Sequence, residues 1–280
     1  MPNEKPHADN PVSRLSRRGL LTGIAATAGS ALLAGCDRLD ALAEQGSWFR
    51  DRVLHLGEDF NRTVQRFFLK PTSLAREFPE TDISTDFRAN GSTDPDDPDY
   101  RALVASNFAN WRLEVGGMVE QPMSFSLADL RAMPARTQIT RHDCVEGWSC
   151  IGEWTGTPLA LVLAAARPKP EARYVVFYCA DPMGNETVDE KGNLVPAPFY
   201  YESLDLLEAT HPQTILAYGL NGAPLPVENG APVRLRAERQ LGYKMPKYVQ
   251  RIELVERFDH IGGGKGGYWE DQGYSWYGGI

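Results

Sequence analysis

Two groups of side chains in this 280-residue chain carry reactive chemistry. The first surrounds Cys144, in Arg141-His142-Asp143-Cys144-Val145-Glu146-Gly147-Trp148-Ser149. A thiolate is a nucleophile and a soft metal ligand, and its availability follows the pKa of the thiol. Arg141 and His142 favour the thiolate, whereas Asp143 and Glu146 oppose it. His142, two residues before the thiol, suits either a core histidine or a contact to a bound group. The second group is basic: Arg234, Arg236, Arg239, Lys244, Lys247 and Arg251 fall within 18 residues. In a strand, Arg234 and Arg236 share one face. Asn229-Gly230, just before them, makes a turn that presents backbone N–H groups. Such a concentration of charge suits a phosphate or an oxyanion substrate. The bland alternative is a solvated strand paired with surface carboxylates.

The surrounding protein is acidic. It holds 29 Lys+Arg against 37 Asp+Glu, a formal net charge of −8. That balance argues against a nucleic-acid partner, which calls for a basic face. Hydrophobic residues make up 42%, ordinary for a soluble globular protein. The length suffices to bury a core without disulfide staples.

The N-terminus reads as an address. Ser16-Arg17-Arg18 precedes an apolar run from Gly19 to Gly35, the pattern of a twin-arginine signal peptide. Leu33-Ala34-Gly35-Cys36 is similar to a lipobox, which would place a lipid anchor at Cys36 and tie the protein to a membrane. A periplasmic location follows. Twin-arginine passengers typically fold around a cofactor before export, a first pointer to a metal or organic group. With Cys36 so assigned, Cys144, Cys150 and Cys179 remain, an odd number that leaves at least one free thiol.

The elements that must position these groups are legible in outline. Apolar residues at helical spacing between 38 and 70 predict a helix. Residues 79–100 read as loop, with Asn90-Gly91 and Asp94-Pro95-Asp96-Asp97-Pro98 as turn signals. Strands are expected at 111–115, from 138, at 174–178, 233–236 and 248–255. Short helices are expected after Ser126 and over 159–166. The mixture lacks a regular βαβ alternation, so the fold class is α+β with mixed sheets. The expected domains are a leader at 1–35, a helical tether at 36–78 and one body at 79–280.

Together the motifs resemble the sulfite oxidase family of molybdopterin-dependent oxidoreductases, in its exported bacterial single-domain form. The resemblance rests on Cys144-Val145-Glu146-Gly147-Trp148-Ser149 with Trp154-Thr155-Gly156-Thr157-Pro158-Leu159. It continues in Asn229-Gly230-Ala231-Pro232-Val233-Arg234-Leu235, Gly242-Tyr243-Lys244-Met245-Pro246-Lys247 and the aromatic C-terminus. It implies a molybdenum-molybdopterin cofactor with Cys144 as the metal ligand. It places Asn229, Arg234, Arg236, Lys244, Met245, Pro246 and Lys247 around the pterin and its phosphate. His142, Asn90 (in Phe87-Arg88-Ala89-Asn90) and Cys179 are candidate cofactor contacts. Arg88 and Arg239, with Arg236, are candidates for a polar S=O or N=O group of a small substrate.

The implied reaction is oxygen-atom transfer to or from sulfite or an S-oxide. No Cys-x-x-Cys-His haem motif is present, so electrons are expected to pass to or from a separate haem protein, a membrane cytochrome b or a cytochrome c. The chain has no room for the family's dimerisation domain, and a monomer is expected. The alternative reading is a metal-free anion-binding lipoprotein with a Cys144–Cys150 disulfide. Two other signals carry little. Gly262 to Gly267 lacks the context of a phosphate loop and reads as a turn near the cofactor entrance. The C-terminal Trp269, Tyr274, Trp276 and Tyr277 are expected to pack rather than bind.

Overall fold

The computed structural model describes residues 72–280, except 185, 186 and 189–193, together with 60, 62–65, 67 and 70. The leader, the lipobox and the helix expected over 38–70 lie wholly or largely outside the described residues. Residues 58–280 form one compact unit. Among the described residues no helix is long and apolar enough to cross a membrane.

The loop read over 79–100 holds apart from a 3-10 turn at Glu80–Asp82, and helix α1 (Pro98–Ala105) corrects only its last three residues. Asp97 caps it by accepting from the Tyr100 N–H at 2.7 Å, and Pro98 takes the first helical position. Proline loses nothing there, since that N–H has no intrahelical partner. Strands β1 (Arg112–Gly117) and β2 (Met123–Ser126) form a hairpin. Helix α2 (Leu127–Ala132) follows directly, started by a Ser126/Asp129 capping box. Then come β3 (Arg136–Cys144), β4 (Trp148–Pro158), α3 (Leu159–Ala166) and β5 (Tyr174–Pro182). A short pair, β6 (Thr187–Val188) and β7 (Leu194–Val195), precedes β8 (Phe199–Asp205) and α4 (Leu206–Ala209). The chain ends with β9 (Ile215–Leu220), β10 (Ala223–Pro224), β11 (Arg234–Arg236), β12 (Val249–Val255) and α5 (Tyr268–Asp271).

Two five-stranded sheets organise these elements. One runs β2-β1-β12-β5-β8, with β1 and β12 parallel and its other pairs antiparallel. The other runs β10-β9-β4-β3, with β11 also on β9. Mixed pairing with short helices is the expected α+β class. Strands β8 and β9 escape the sequence patterns because both are almost entirely buried. A strand covered on both faces shows no polar alternation.

The main core lies on the first sheet, around Trp111, Leu113, Phe177, Ile252 and Leu254, and extends to α3. A smaller cluster on the second sheet supports the reactive groups. There Trp154 of β4 is fully buried among Ile215, Ala217 and Leu220, with Phe87 edge-on at 5.1 Å. Both guanidinium groups of β11 lie over its indole, Arg234 at 5.1 Å and Arg236 at 4.4 Å. The strands approach closely here, because a Cβ on Gly156 would sit 2.3 Å from the Leu216 carbonyl oxygen. Trp154→Ala should therefore cost about 3 to 5 kcal/mol, read as a lower urea midpoint, and should loosen Arg234 and Arg236 together.

Candidate active site

Cys144 ends β3, where the chain turns through Val145, Glu146 and Gly147 into β4. Gly147 takes φ of +89°, and its N–H donates to the Cys144 carbonyl at 3.1 Å. Glycine makes that positive φ cheap. Across the hairpin Cys144 faces Trp148, while His142 faces Cys150. Cys144 and Cys150 are thus diagonal neighbours, roughly 7 to 8 Å apart at Cα, beyond ordinary disulfide reach. All three described cysteines are free thiols. The disulfide of the alternative reading is not formed.

Cys144, Val145 and Glu146 line a cavity of about 200 Å³. Asn90 and Ser92 approach it from the loop before α1, and Met245, Pro246 and Lys247 from the segment before β12. The structure brings Cys144, Asn90, Met245, Pro246 and Lys247, from distant segments, to this one cavity. Burial raises the Cys144 thiol above its ordinary pKa, and the Glu146 carboxylate adds to this, against Arg88 and Arg234. The thiol stays protonated near neutrality unless a metal or a closer cation takes its sulfur.

Behind the cavity stand two buried cations. Arg234 is fully buried and donates only to neutral oxygens. These are the Asn229 carbonyl at 3.1 Å, the Met245 carbonyl at 3.2 Å and Asn90 Oδ1 at 3.4 Å. Lys247, 5% exposed, donates to the carbonyls of Ser92 and Glu228. Burial, then Arg234, pushes Lys247 down to about 7; burial, then Arg236, also holds Arg234 below its ordinary value. Among the described residues neither makes an ion pair.

The other cations of the cluster are satisfied. Arg236 holds Glu238 at 2.6 Å, Arg239 holds Glu208 at 2.6 Å, and Lys244 sits between Glu202 and Glu270. Lys244 and Arg239 do not line the cavity, so the structure does not bring them to the pterin or substrate positions expected of them. The dense basic run is two free cations among three neutralised ones, with Arg251 on the surface against Glu253 at 2.6 Å.

The remaining candidates separate in the same way. Asn229 is buried beside Arg234, with its Nδ2 unpaired. Cys179 lies inside β5 opposite Val249, its thiol pushed far up by burial. Arg88 is exposed at the hairpin turn, over Trp148 at 5.1 Å and 4.0 Å from Glu146. His142 is fully buried, with burial and then Arg236 holding it neutral.

Sequence reasoning missed Asp181, which lines the cavity at the end of β5. Burial raises its pKa, a Ser92 hydrogen bond lowers it, and its Oδ1 has no partner. A carboxylate closing the apolar run Tyr174–Tyr178 is the signal that was available. Trp269 and Tyr274 also line the cavity, stacked at 5.3 Å, which corrects the expectation that they only pack. Trp276 does pack, stacked with Phe258 at 5.8 Å. The glycine run does not line the cavity, and the Gly263 and Lys265 N–H groups donate to Asp271 instead.

The donors around Arg234 call for an anion. Arg234 Nε and Asn229 Nδ2 are buried without acceptors. Gly230, at φ of +108°, leaves space that a Cβ would close, at 2.8 Å from Lys247 Cβ and 3.2 Å from Arg234 Cβ. Buried polar groups are almost always paired, so these donors fit a phosphate-bearing group. The oxidoreductase molybdopterin binding domain model matches residues 101–260. The chain belongs to this family. It is a molybdopterin oxidoreductase, and molybdopterin with molybdenum is its cofactor.

The chain is similar to two curated relatives and, more loosely, to one solved structure. A protein of Azospira oryzae named as a protein-methionine-sulfoxide reductase subunit, YedZ1, is 37% identical over 94% of this chain and 88% of its own length. The protein-methionine-sulfoxide reductase catalytic subunit MsrP of Xanthomonas axonopodis pv. citri is 41% identical over 59% of this chain. The chain spans about half the length of that relative, 51%. The sulfane dehydrogenase SoxCD of Paracoccus pantotrophus aligns at 25% identity and a TM-score of 0.44, over 53% of this chain and 39% of that one.

Two outcomes follow from the charges. Between pH 7 and the ordinary lysine value the unfolded chain holds the Lys247 proton more tightly than the folded one, so folding stability rises with pH. Without cofactor, the urea midpoint should climb from pH 7 to 9, by of order 1 kcal/mol per pH unit. Lys247→Met should flatten that slope. Arg239→Met, which removes the ion pair with Glu208, should lower the urea midpoint yet leave the substrate KM unchanged.

Proposed function

We propose that this chain is the catalytic subunit of an exported S-oxide reductase, with Cys144 as the thiolate ligand to molybdenum. The observation that carries the reading is a cavity lined by the Cys144 thiol and by Lys247, with Arg234 behind it on the lining residues Asn90 and Met245, and with neither cation holding a carboxylate. Lys247, Arg234 and Asn229 would hold the pterin phosphate, with Asn90 and the Met245-Pro246 backbone beside them. When bound, the cofactor supplies a metal centre that exchanges an oxygen atom and two electrons.

The chain's own residues do the rest. The Val145–Gly147 turn fixes Cys144 at the cavity wall. Trp269 and Tyr274 give an apolar wall that suits a thioether. Arg88, exposed and 4.0 Å from the cavity residue Glu146, is the one substrate candidate left with a head free of buried carboxylates, and it would take the S=O oxygen. Arg236 and Arg239 are spent on Glu238 and Glu208. The names of the relatives favour methionine sulfoxide carried on proteins as the substrate. The reaction joins the sulfoxide, two electrons and two protons to give a thioether and water. A separate haem protein would supply the electrons, as suits a chain whose relatives are named as subunits. The twin-arginine leader at 1–35 would deliver it to the periplasm, with a lipid anchor at Cys36 and a tether over 36–78.

Protein from a cofactor-competent host should carry about one molybdenum per chain and reduce methionine sulfoxide with an artificial electron donor. Cys144→Ser should lose the activity at least a hundredfold with an unchanged circular dichroism spectrum. Arg88→Gln should raise KM several-fold with little effect on kcat. Oxidation of sulfite without reduction of any S-oxide would overturn the proposed direction.

A further inference from the structure

Behind the cavity wall, three buried side chains are spent on fixing one imidazole. Glu238 takes Arg236 in a fork, with Arg236 Nε at 2.9 Å and Nη2 at 2.6 Å. Gln138 Nε2 donates to the same carboxylate at 2.8 Å. The remaining arm, Arg236 Nη1, lies 2.9 Å from His142 Nδ1. A guanidinium has donors and no acceptor, so Nδ1 must accept. The ring proton of neutral His142 is therefore on Nε2. The ring cannot turn away easily, being wholly buried between Phe87 at 6.2 Å and Trp148 at 5.7 Å.

That Nε2–H has no acceptor among the described residues and no access to water. An unmade buried hydrogen bond is costly, and here the cost is built in by Arg236 and Glu238. His142 does not itself line the cavity, and what its donor lacks is inferred from the residues beside the ring. His142 and Cys144 are two residues apart in β3 and face the same side. Against the ring lies Gly242, itself part of the cavity wall; a Cβ there would stand 2.7 Å from Nε2. Only glycine leaves the imidazole this close to the cavity.

We propose that His142 Nε2–H donates a hydrogen bond to an acceptor atom of the molybdopterin centre beside Cys144, with Arg236 and Glu238 as positioning residues that lock this tautomer. The proposal rests on the reading that the Cys144 cavity holds the cofactor. It gives Arg236 a role the basic run does not suggest: a buried positioning cation that never touches pterin or substrate. A hydrogen bond to a metal's sulfur or oxygen ligand stabilises the electron-rich reduced state, and so raises its potential.

The test compares cofactor-loaded wild type with His142→Phe, His142→Gln and the double variant Arg236→Met/Glu238→Met. The double variant removes both charges together and strands neither. The readouts are molybdenum content, an EPR-monitored redox titration of the metal, and the imidazole nitrogen resonances of wild type. His142→Phe should keep its molybdenum and favour the oxidised form about tenfold at a fixed potential, or about 59 mV for a one-electron step. His142→Gln, which retains an N–H donor, should stay close to wild type. The double variant should shift in the same direction as His142→Phe. Wild type should show a protonated Nε2 and an unprotonated Nδ1.

An unchanged potential in a fully loaded His142→Phe would overturn the proposal, as would a protonated Nδ1 in wild type. Should His142→Phe fail to load, the double variant and the wild-type tautomer decide in its place. Absence of molybdenum from wild type would instead overturn the reading beneath it, while the tautomer in that same protein still tests the Glu238–Arg236–His142 relay.

Discussion

Two positive charges without a partner organise this protein. Arg234 and Lys247 are buried almost completely, and every acceptor described for them is neutral. Taking a charge from water is expensive, and carbonyl dipoles alone repay little of it. The chain shows elsewhere what it does with buried cations it needs only for structure: Lys244 receives two glutamates, and Arg236 and Arg239 receive one each. Leaving two cations without a carboxylate is therefore selective. It makes the folded chain a receptor for an anion, and it couples stability to that anion's presence.

The architecture is what makes such a cost bearable. Trp154 offers its π-face to both arginines of β11, an attraction that needs no carboxylate. The close approach at Gly156 lets β4 and β9 carry that indole against β11. The first sheet holds the main core and sends β5 and β12 toward the same cavity, with Asp181 on one and Lys247 just before the other. Cys144 then arrives on a hairpin whose turn is set by Gly147. The Cys144 thiol and the two buried cations thus sit on separate elements, each held by its own packing.

Much of this was legible in the residues. The motifs around Cys144 and over Asn229–Lys247 indicated one site through the family resemblance they carry, and α2 and α3 were marked by Ser126 and Pro158. What stayed hidden has physical causes. The buried β8 and β9 lack alternation. The start of α1 stayed hidden because its cap Asp97 and first residue Pro98 are also turn signals. Charge density did not distinguish Arg234 and Lys247 from Arg239 and Lys244, because the neutralising Glu202, Glu208 and Glu270 lie far away in sequence. Asp181 gives no local signal beyond following the apolar run Tyr174–Tyr178. Pairing across the fold, which no local window contains, decides which cation is free.

The measurement that tests this account most directly is a crystal structure of the cofactor-loaded protein with anomalous data collected at the molybdenum edge. The account predicts one molybdenum peak within bonding reach of Cys144 Sγ, and a phosphate against Lys247, Arg234 and Asn229. Molybdenum bound away from Cys144, or Arg234 and Lys247 still facing only carbonyl oxygens with the cofactor in place, would contradict it.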